Sequence, residues 1–121
     1  MNNIINLDYH SRTPIYEQIV NSVERFVSLE ILKPNDQIPS IRELASTLGI
    51  NPNTVKKAYH ELERRGVINT ISTKGTFITE QIDEVINNKI KQNLSSIKKI
   101  ASELQQLGLS KEEIINKIKE I

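Results

Sequence analysis

The chain has 121 residues, 37% hydrophobic and 26% charged, with a formal net charge of +1. This balance suits one small folded domain with an appendage, excludes a disordered tail, and leaves any basic surface to local clustering. With no cysteine, disulfide frameworks, thiolate zinc sites and cysteine nucleophiles are excluded.

The start, Met1-Asn2-Asn3-Ile4-Ile5-Asn6, has no basic region leading into an apolar stretch, so no signal peptide is expected. No apolar run approaches the roughly 18 residues of a membrane span, and the expected location is cytoplasmic with no membrane contact. Ile4, Ile5 and Leu7 make one apolar patch in a polar lead-in expected to be flexible, with His10 solvent-exposed beside Asp8. Pro14 then opens a helix at its favoured first-turn position. Ile15, Ile19, Val23, Phe26 and Val27 give that helix one buried face.

Lys33-Pro34-Asn35-Asp36-Gln37-Ile38-Pro39 breaks the pattern with two prolines and two turn-formers. Ser40 reads as the N-cap of a second helix, with Glu43 at capping-box spacing. Ile41, Leu44, Ala45 and Leu48 form its apolar stripe, and Gly49 stops it. Asn51 caps a third helix with Pro52 at its first position; Val55, Ala58, Tyr59 and Leu62 face inward and Gly66 ends it. The β-branched and aromatic runs Val67–Ile71 and Thr76–Thr79 flank Ser72-Thr73-Lys74-Gly75, a hairpin signal. The expected fold is mainly α with a small β-hairpin: a winged helix-turn-helix followed by a C-terminal helical hairpin.

From about Thr79 the composition changes, and residues 81–121 hold no aromatic, histidine or proline. Ile82, Ile86, Ile90, Leu94, Ile97, Ala101, Leu104 and Leu107 step by three or four, a narrow stripe resembling a coiled-coil seam. After Gly108, Ser110 and Glu113 make another capping box, followed by Ile114, Ile115, Ile118 and Ile121. Two helices with an apolar face on both arms need a partner. Residues 1–79 are thus expected to form the winged domain and 80–121 a dimerisation segment, with Ile86, Ile90, Leu94, Ile97, Ala101 and Leu104 in the homodimer seam. An amphipathic membrane-surface helix is disfavoured, because the apolar side lacks Trp and Phe.

A helix-turn-helix leads with the first residues of its second helix in the major groove. Opposite the inward face of that helix lie Asn53, Lys57, His60 and Arg64, flanked by Thr54 and Lys56. Amides pair bidentately with adenine and lysine with guanine. Residues 54–75 carry Lys56, Lys57, Arg64, Arg65 and Lys74 against Glu61 and Glu63. A solvated helix face reads similarly in isolation, but it does not require the ordered set of capped helix, glycine turn, capped helix and glycine hairpin.

Five ordered motifs carry a resemblance: Pro14-Ile15-Tyr16-Glu17-Gln18-Ile19, Ile38-Pro39-Ser40-Ile41-Arg42-Glu43-Leu44-Ala45, Asn51-Pro52-Asn53-Thr54-Val55-Lys56-Lys57-Ala58-Tyr59, Glu61-Leu62-Glu63 with Gly66-Val67-Ile68, and Lys74-Gly75-Thr76-Phe77-Ile78. Together they resemble the GntR family of bacterial transcription regulators, and the length resembles its YtrA-like branch, with a short two-helix dimerisation segment. The resemblance implies DNA contacts from Arg42, from Asn51, Asn53, Thr54 and Lys56 at the head of the recognition helix, and from Gly75 at the wing tip. Lys74 is the wing's main charge, because Ile71, Ser72 and Thr73 stand where related wings carry arginines and a glycine. Glu30 and Asn35 likewise stand where the family commonly has glycine.

No cofactor or metal site is expected: His60 has only Lys56 and Arg64 one turn away, which is no ligand set. No nucleophile–base pair, phosphate loop or carboxylate pair supports an enzyme. The competing function is a winged helix used only for protein contact, which would centre on aromatic or apolar anchors rather than Asn53, Lys57 and His60. The expectation is a homodimeric regulator of double-stranded DNA at a pseudo-palindromic operator. The resemblance implies a repressor of its own operon and a neighbouring transporter operon. Any small-molecule or peptide effector would have to bind at the dimer interface or beside the first helix.

Overall fold

The computed structural model of the chain describes residues 5–121; Ile4 of the lead-in patch, and the first residues read above for a leader, lie outside them. Helix α1 spans Ile15–Ser28, and Pro14 is its N-cap rather than a first-turn residue. With ψ of 149° it remains extended while its carbonyl accepts the first helical N–H, from Gln18. From Asp8 onward the lead-in is tied to α1. Gln18 donates through Nε2 to the carbonyls of Asp8 (2.8 Å) and Thr13 (2.9 Å), and its Oε1 accepts the Asp8 N–H. Ile5 is buried in the core, whereas His10 is exposed.

Strand β1, Gln37–Ile38, lies inside the proline-flanked segment read as a turn. Left-handed Asn35 (φ 68°) bends the chain there, and its N–H donates to Ile78 while the Ile78 N–H donates to Asp36. Two residues are too few to show alternation, so this strand has no sequence signature. Helix α2, Ile41–Leu48, begins at Ser40, whose hydroxyl accepts the Glu43 N–H at 3.1 Å. Only that half of the expected capping box is formed. Helix α3 runs Pro52–Arg64 and is followed by β2 (Ile68–Ile71) and β3 (Gly75–Ile78). The antiparallel sheet has the order β1-β3-β2, so the hairpin becomes three-stranded.

Ile19, Val20 and Val23 of α1, Leu44 of α2, and Val55, Ala58 and Leu62 of α3 are fully buried together with Ile78 of β3. Burying a large aliphatic side chain stabilises by about 1.5–3 kcal/mol, so this shared interior fixes how α2, α3 and the wing stand relative to one another. Glu24 is buried as well, and its Oε1 accepts from Arg65 Nη1 at 2.9 Å. Helix ends are closed by one recurrent geometry. After α1, α2 and α3, a left-handed residue (Glu30, Gly49 and Gly66) is followed by an N–H reaching back five residues, Ile31 to Phe26, Ile50 to Ala45 and Val67 to Leu62.

Helix α4 spans Ile82–Gln106 and α5 spans Lys111–Lys119, with Ser110 and Glu113 forming a complete capping box. The chain divides into two compact units, one running to Ile86 and one covering Asn87–Ile121. This division falls after the first turn of α4, later than the composition change, because Ile82, Val85 and Ile86 pack into the winged core. Ile86, expected in the seam, is half-buried and packs against the core of the first unit. In the second unit, Ile114 is buried while Ile90, Leu94 and Ile97 remain 52%, 55% and 53% exposed. Ala101, Leu104, Leu109 and Ile118 help to line an apolar cavity of about 260 Å³ within this unit. Among the described residues, no helix is long and apolar enough to cross a membrane.

Candidate nucleic-acid interface

The head of α3 is built by local chemistry. Gly49, at φ 68°, turns the chain out of α2, with open space where a Cβ would stand. Asn51 Oδ1 then accepts the Asn53 N–H at 2.8 Å, and Pro52 occupies the first helical position, where no N–H is needed. Asn51 thus uses its acceptor as a cap, leaving its amide NH₂ as the group facing outward chemistry. Asn53, Lys56, Lys57 and His60 are exposed along α3, whereas Thr54 is half-buried. Arg42 is exposed in the first turn of α2.

A buried phenol ties these two helices together. The Tyr59 hydroxyl donates to the Pro39 carbonyl at 2.7 Å, immediately before the cap of α2. Burial, and then the Glu43 carboxylate, pushes its pKa well above the ordinary tyrosine value, so it stays a donor. Arg42 and the α3 face are consequently carried on one rigid frame.

Local charge is smaller than composition suggested. Arg64 donates to Glu61 through Nε at 3.0 Å and through Nη2, and Arg65 Nε donates to Glu61 at 2.9 Å while its Nη1 reaches Glu24. Those bonds, with the two positive charges, hold the Glu61 carboxyl down at about 2. Arg64 therefore belongs to an ion-pair network at the far end of α3. Among the described residues, Arg42, Lys56 and Lys74 form no ion pair. Lys57 lies over the Tyr16 ring of α1, with Nζ 4.1 Å from the centroid.

The wing turn has left-handed Thr73 (φ 66°) and Gly75 (φ 124°), with Lys74 exposed between them. The Lys74 N–H closes the turn on the Ile71 carbonyl at 3.0 Å. Gln37 of β1 supports the tip from the side by donating Nε2 to the Lys74 carbonyl at 3.3 Å. A Cβ on Gly75 would stand 2.6 Å from that same Nε2. Gln37 and Tyr16 were not readable as parts of this surface, because each acts on a residue far away in sequence. His60 stands alone, and the described residues contain no cluster of three His, Cys, Asp or Glu fit for a metal.

Residues 15–78 match the family described as bacterial regulatory proteins, gntR family. The chain belongs to the gntR family. It is 40% identical to the HTH-type transcriptional repressor YtrA of Bacillus subtilis, over 98% of this chain and 92% of that one. A solved transcriptional regulator from Oenococcus oeni superposes with a TM-score of 0.72 and 38% identity, over 94% of this chain and 95% of that one. YtrA from Sulfolobus acidocaldarius, described as a GntR-family transcription factor, gives 0.62 and 35% identity, over 96% and 94%. Membership settles the class: this gntR chain is a DNA-binding transcription regulator with a winged helix-turn-helix, not an enzyme.

Proposed function

We propose that this gntR-family chain is a homodimeric, cytoplasmic repressor of its own operon and of a neighbouring transporter operon, acting at a pseudo-palindromic operator. The observation that carries the reading is the outer face of α3: a capped helix presenting Asn53, Lys56, Lys57 and His60 to solvent with no apolar anchor among them. Arg42, Asn53, Thr54, Lys56, Lys57 and His60 are assigned to bases and adjacent phosphates, Asn51 to a donor contact from its amide, Lys74 to phosphate beside the wing, and Gly75 to the minor groove. Residues 80–121 are assigned to dimerisation. The half-exposed stripe of Ile90, Leu94 and Ile97 supports this, since contiguous apolar surface of that kind marks an interface. Repression is supported by the likeness to the Bacillus subtilis repressor.

The test is binding of the purified protein to the DNA upstream of its own gene, against scrambled DNA, across a salt series. Operator recognition predicts a Kd on the order of 10⁻⁸ M with at least about 10³-fold discrimination. Weak and equal binding to both fragments would favour a protein-contact role for the winged helix.

A further inference from the structure

Lys56 and Lys57 are adjacent in sequence, and both are exposed on α3, but their surroundings differ. Lys57 Nζ sits 4.1 Å above the ring of Tyr16, a half-buried residue in the first turn of α1 that packs against the core. A solvated lysine normally loses much rotamer freedom when it is held in one place. Here the fixed ring holds the ammonium in advance by attraction between the cation and the π face. Lys56, turned 100° around the helix, has no such platform.

This placement decides what Lys57 reaches. A base contact requires the side chain to extend from the helix toward the groove floor, whereas an ammonium drawn against α1 stands at the flank, where the sugar–phosphate backbone runs. The ring covers one side of the ammonium, leaving donors on the other. A compact, non-directional charge of this kind suits a phosphate oxygen better than the bidentate edge of guanine.

We propose that Lys57 neutralises a backbone phosphate beside the recognition helix, and that Tyr16 is the positioning residue that holds it there. The proposal rests on the DNA-binding reading of this face and reassigns Lys57 from base to phosphate.

The test combines NMR of the free protein with binding of Lys57→Met, Tyr16→Phe, Tyr16→Leu and the Tyr16→Leu/Lys57→Met pair to the native upstream fragment and to scrambled DNA. Without DNA, the Lys57 ε-methylene protons should be shifted upfield by the ring in wild type and Tyr16→Phe, and return to the ordinary position in Tyr16→Leu. Lys57→Met should weaken both fragments by the same factor and reduce the salt slope by about 1 per bound chain. Tyr16→Leu should cost about two- to fivefold, Tyr16→Phe should bind like wild type, and the double variant should be no weaker than Lys57→Met alone.

An unshifted ε-methylene in wild type would overturn the role of Tyr16. So would losses that multiply in the double variant. Lost discrimination at an unchanged salt slope would make Lys57 a base reader. Wild-type protein that binds neither fragment, with the upfield shift intact, would instead sink the DNA reading and the phosphate assignment with it.

Discussion

Gln37 and Lys74 meet across the edge of the sheet, the side-chain amide of one donating to the main-chain carbonyl of the other at 3.3 Å. The same amide stands where a Cβ on Gly75 would go, so a side chain at position 75 would push the Gln37 amide off the Lys74 carbonyl. Gln37→Ala should leave the thermal midpoint nearly unchanged, since a surface hydrogen bond contributes about 1 kcal/mol or less. It should nevertheless weaken DNA binding by freeing the wing tip. Gly75→Ala should destabilise by about 1–2 kcal/mol, through strain at φ 124° as well as displacement of Gln37. Denaturation and operator titration of the two single variants and their combination would separate these contributions. A Gln37→Ala wing that binds with wild-type affinity would show that the contact is idle.

Arg42→Ala and Lys56→Ala should each weaken operator binding while leaving stability within about 0.5 kcal/mol of wild type, because both side chains are exposed and lack ion pairs. Titration at several salt concentrations, with denaturation run in parallel, checks both halves. Wild-type affinity with an unchanged salt slope in either variant would remove that residue from the contact set.

Leu94→Glu should dissociate the proposed dimer without unfolding the winged unit, because Leu94 is 55% exposed within one chain. Sedimentation velocity over a concentration range reads the outcome. A Leu94→Glu protein that remains dimeric would move the interface away from the α4 stripe.

Glu30 holds the left-handed position after α1 that glycine fills after α2 and α3, at φ 59°. A side chain there crowds the following carbonyl at a cost of about 1 kcal/mol, part of which a more flexible unfolded chain offsets. Glu30→Gly should therefore stabilise the protein by about 0.5–1 kcal/mol. Urea denaturation with a common slope would read this. A destabilised variant would mean that the Glu30 side chain makes a favourable contribution larger than its backbone strain.

Glu61 is held at about 2, below its ordinary 4.5, by the guanidinium groups of Arg64 and Arg65. A carboxyl with a depressed folded-state pKa stabilises the fold above its unfolded value, and that contribution fades as pH falls through the folded one. The stability difference between wild type and Glu61→Gln should accordingly be constant above about pH 5 and shrink between roughly pH 4.5 and 2. Thermal denaturation of both proteins across that range tests it, and a difference independent of pH would show that Glu61 acts through packing alone.

Much of this architecture is written in short-range signals. Ser40, Gly49, Asn51 and Pro52 each act within four residues, so the two helices and their turn can be read from residue type and spacing. The inward face of α3 is equally legible, since Val55, Ala58, Tyr59 and Leu62 follow the helical period and are all buried. What escapes reading depends on partners far along the chain. Glu24 is buried because Arg65 arrives 41 positions later, and Gln37 matters because Lys74 lies 37 positions away. Strand β1 exists only because β3 lies beside it. The candidate interface also differs in its charge: counting cations in residues 54–75 could not reveal that Arg64 and Arg65 converge on a single carboxylate.

Pro39 follows directly on β1, at the outer edge of the sheet. A strand of two residues ending at a proline offers almost no run of unpaired amides to an incoming chain. At the opposite edge, β2 is four residues long and leads into a turn carrying Lys74. Both borders are therefore short, which limits how far a strand of another chain could pair along them. A winged transcription regulator thereby carries a small exposed sheet without a long unpaired edge on either side.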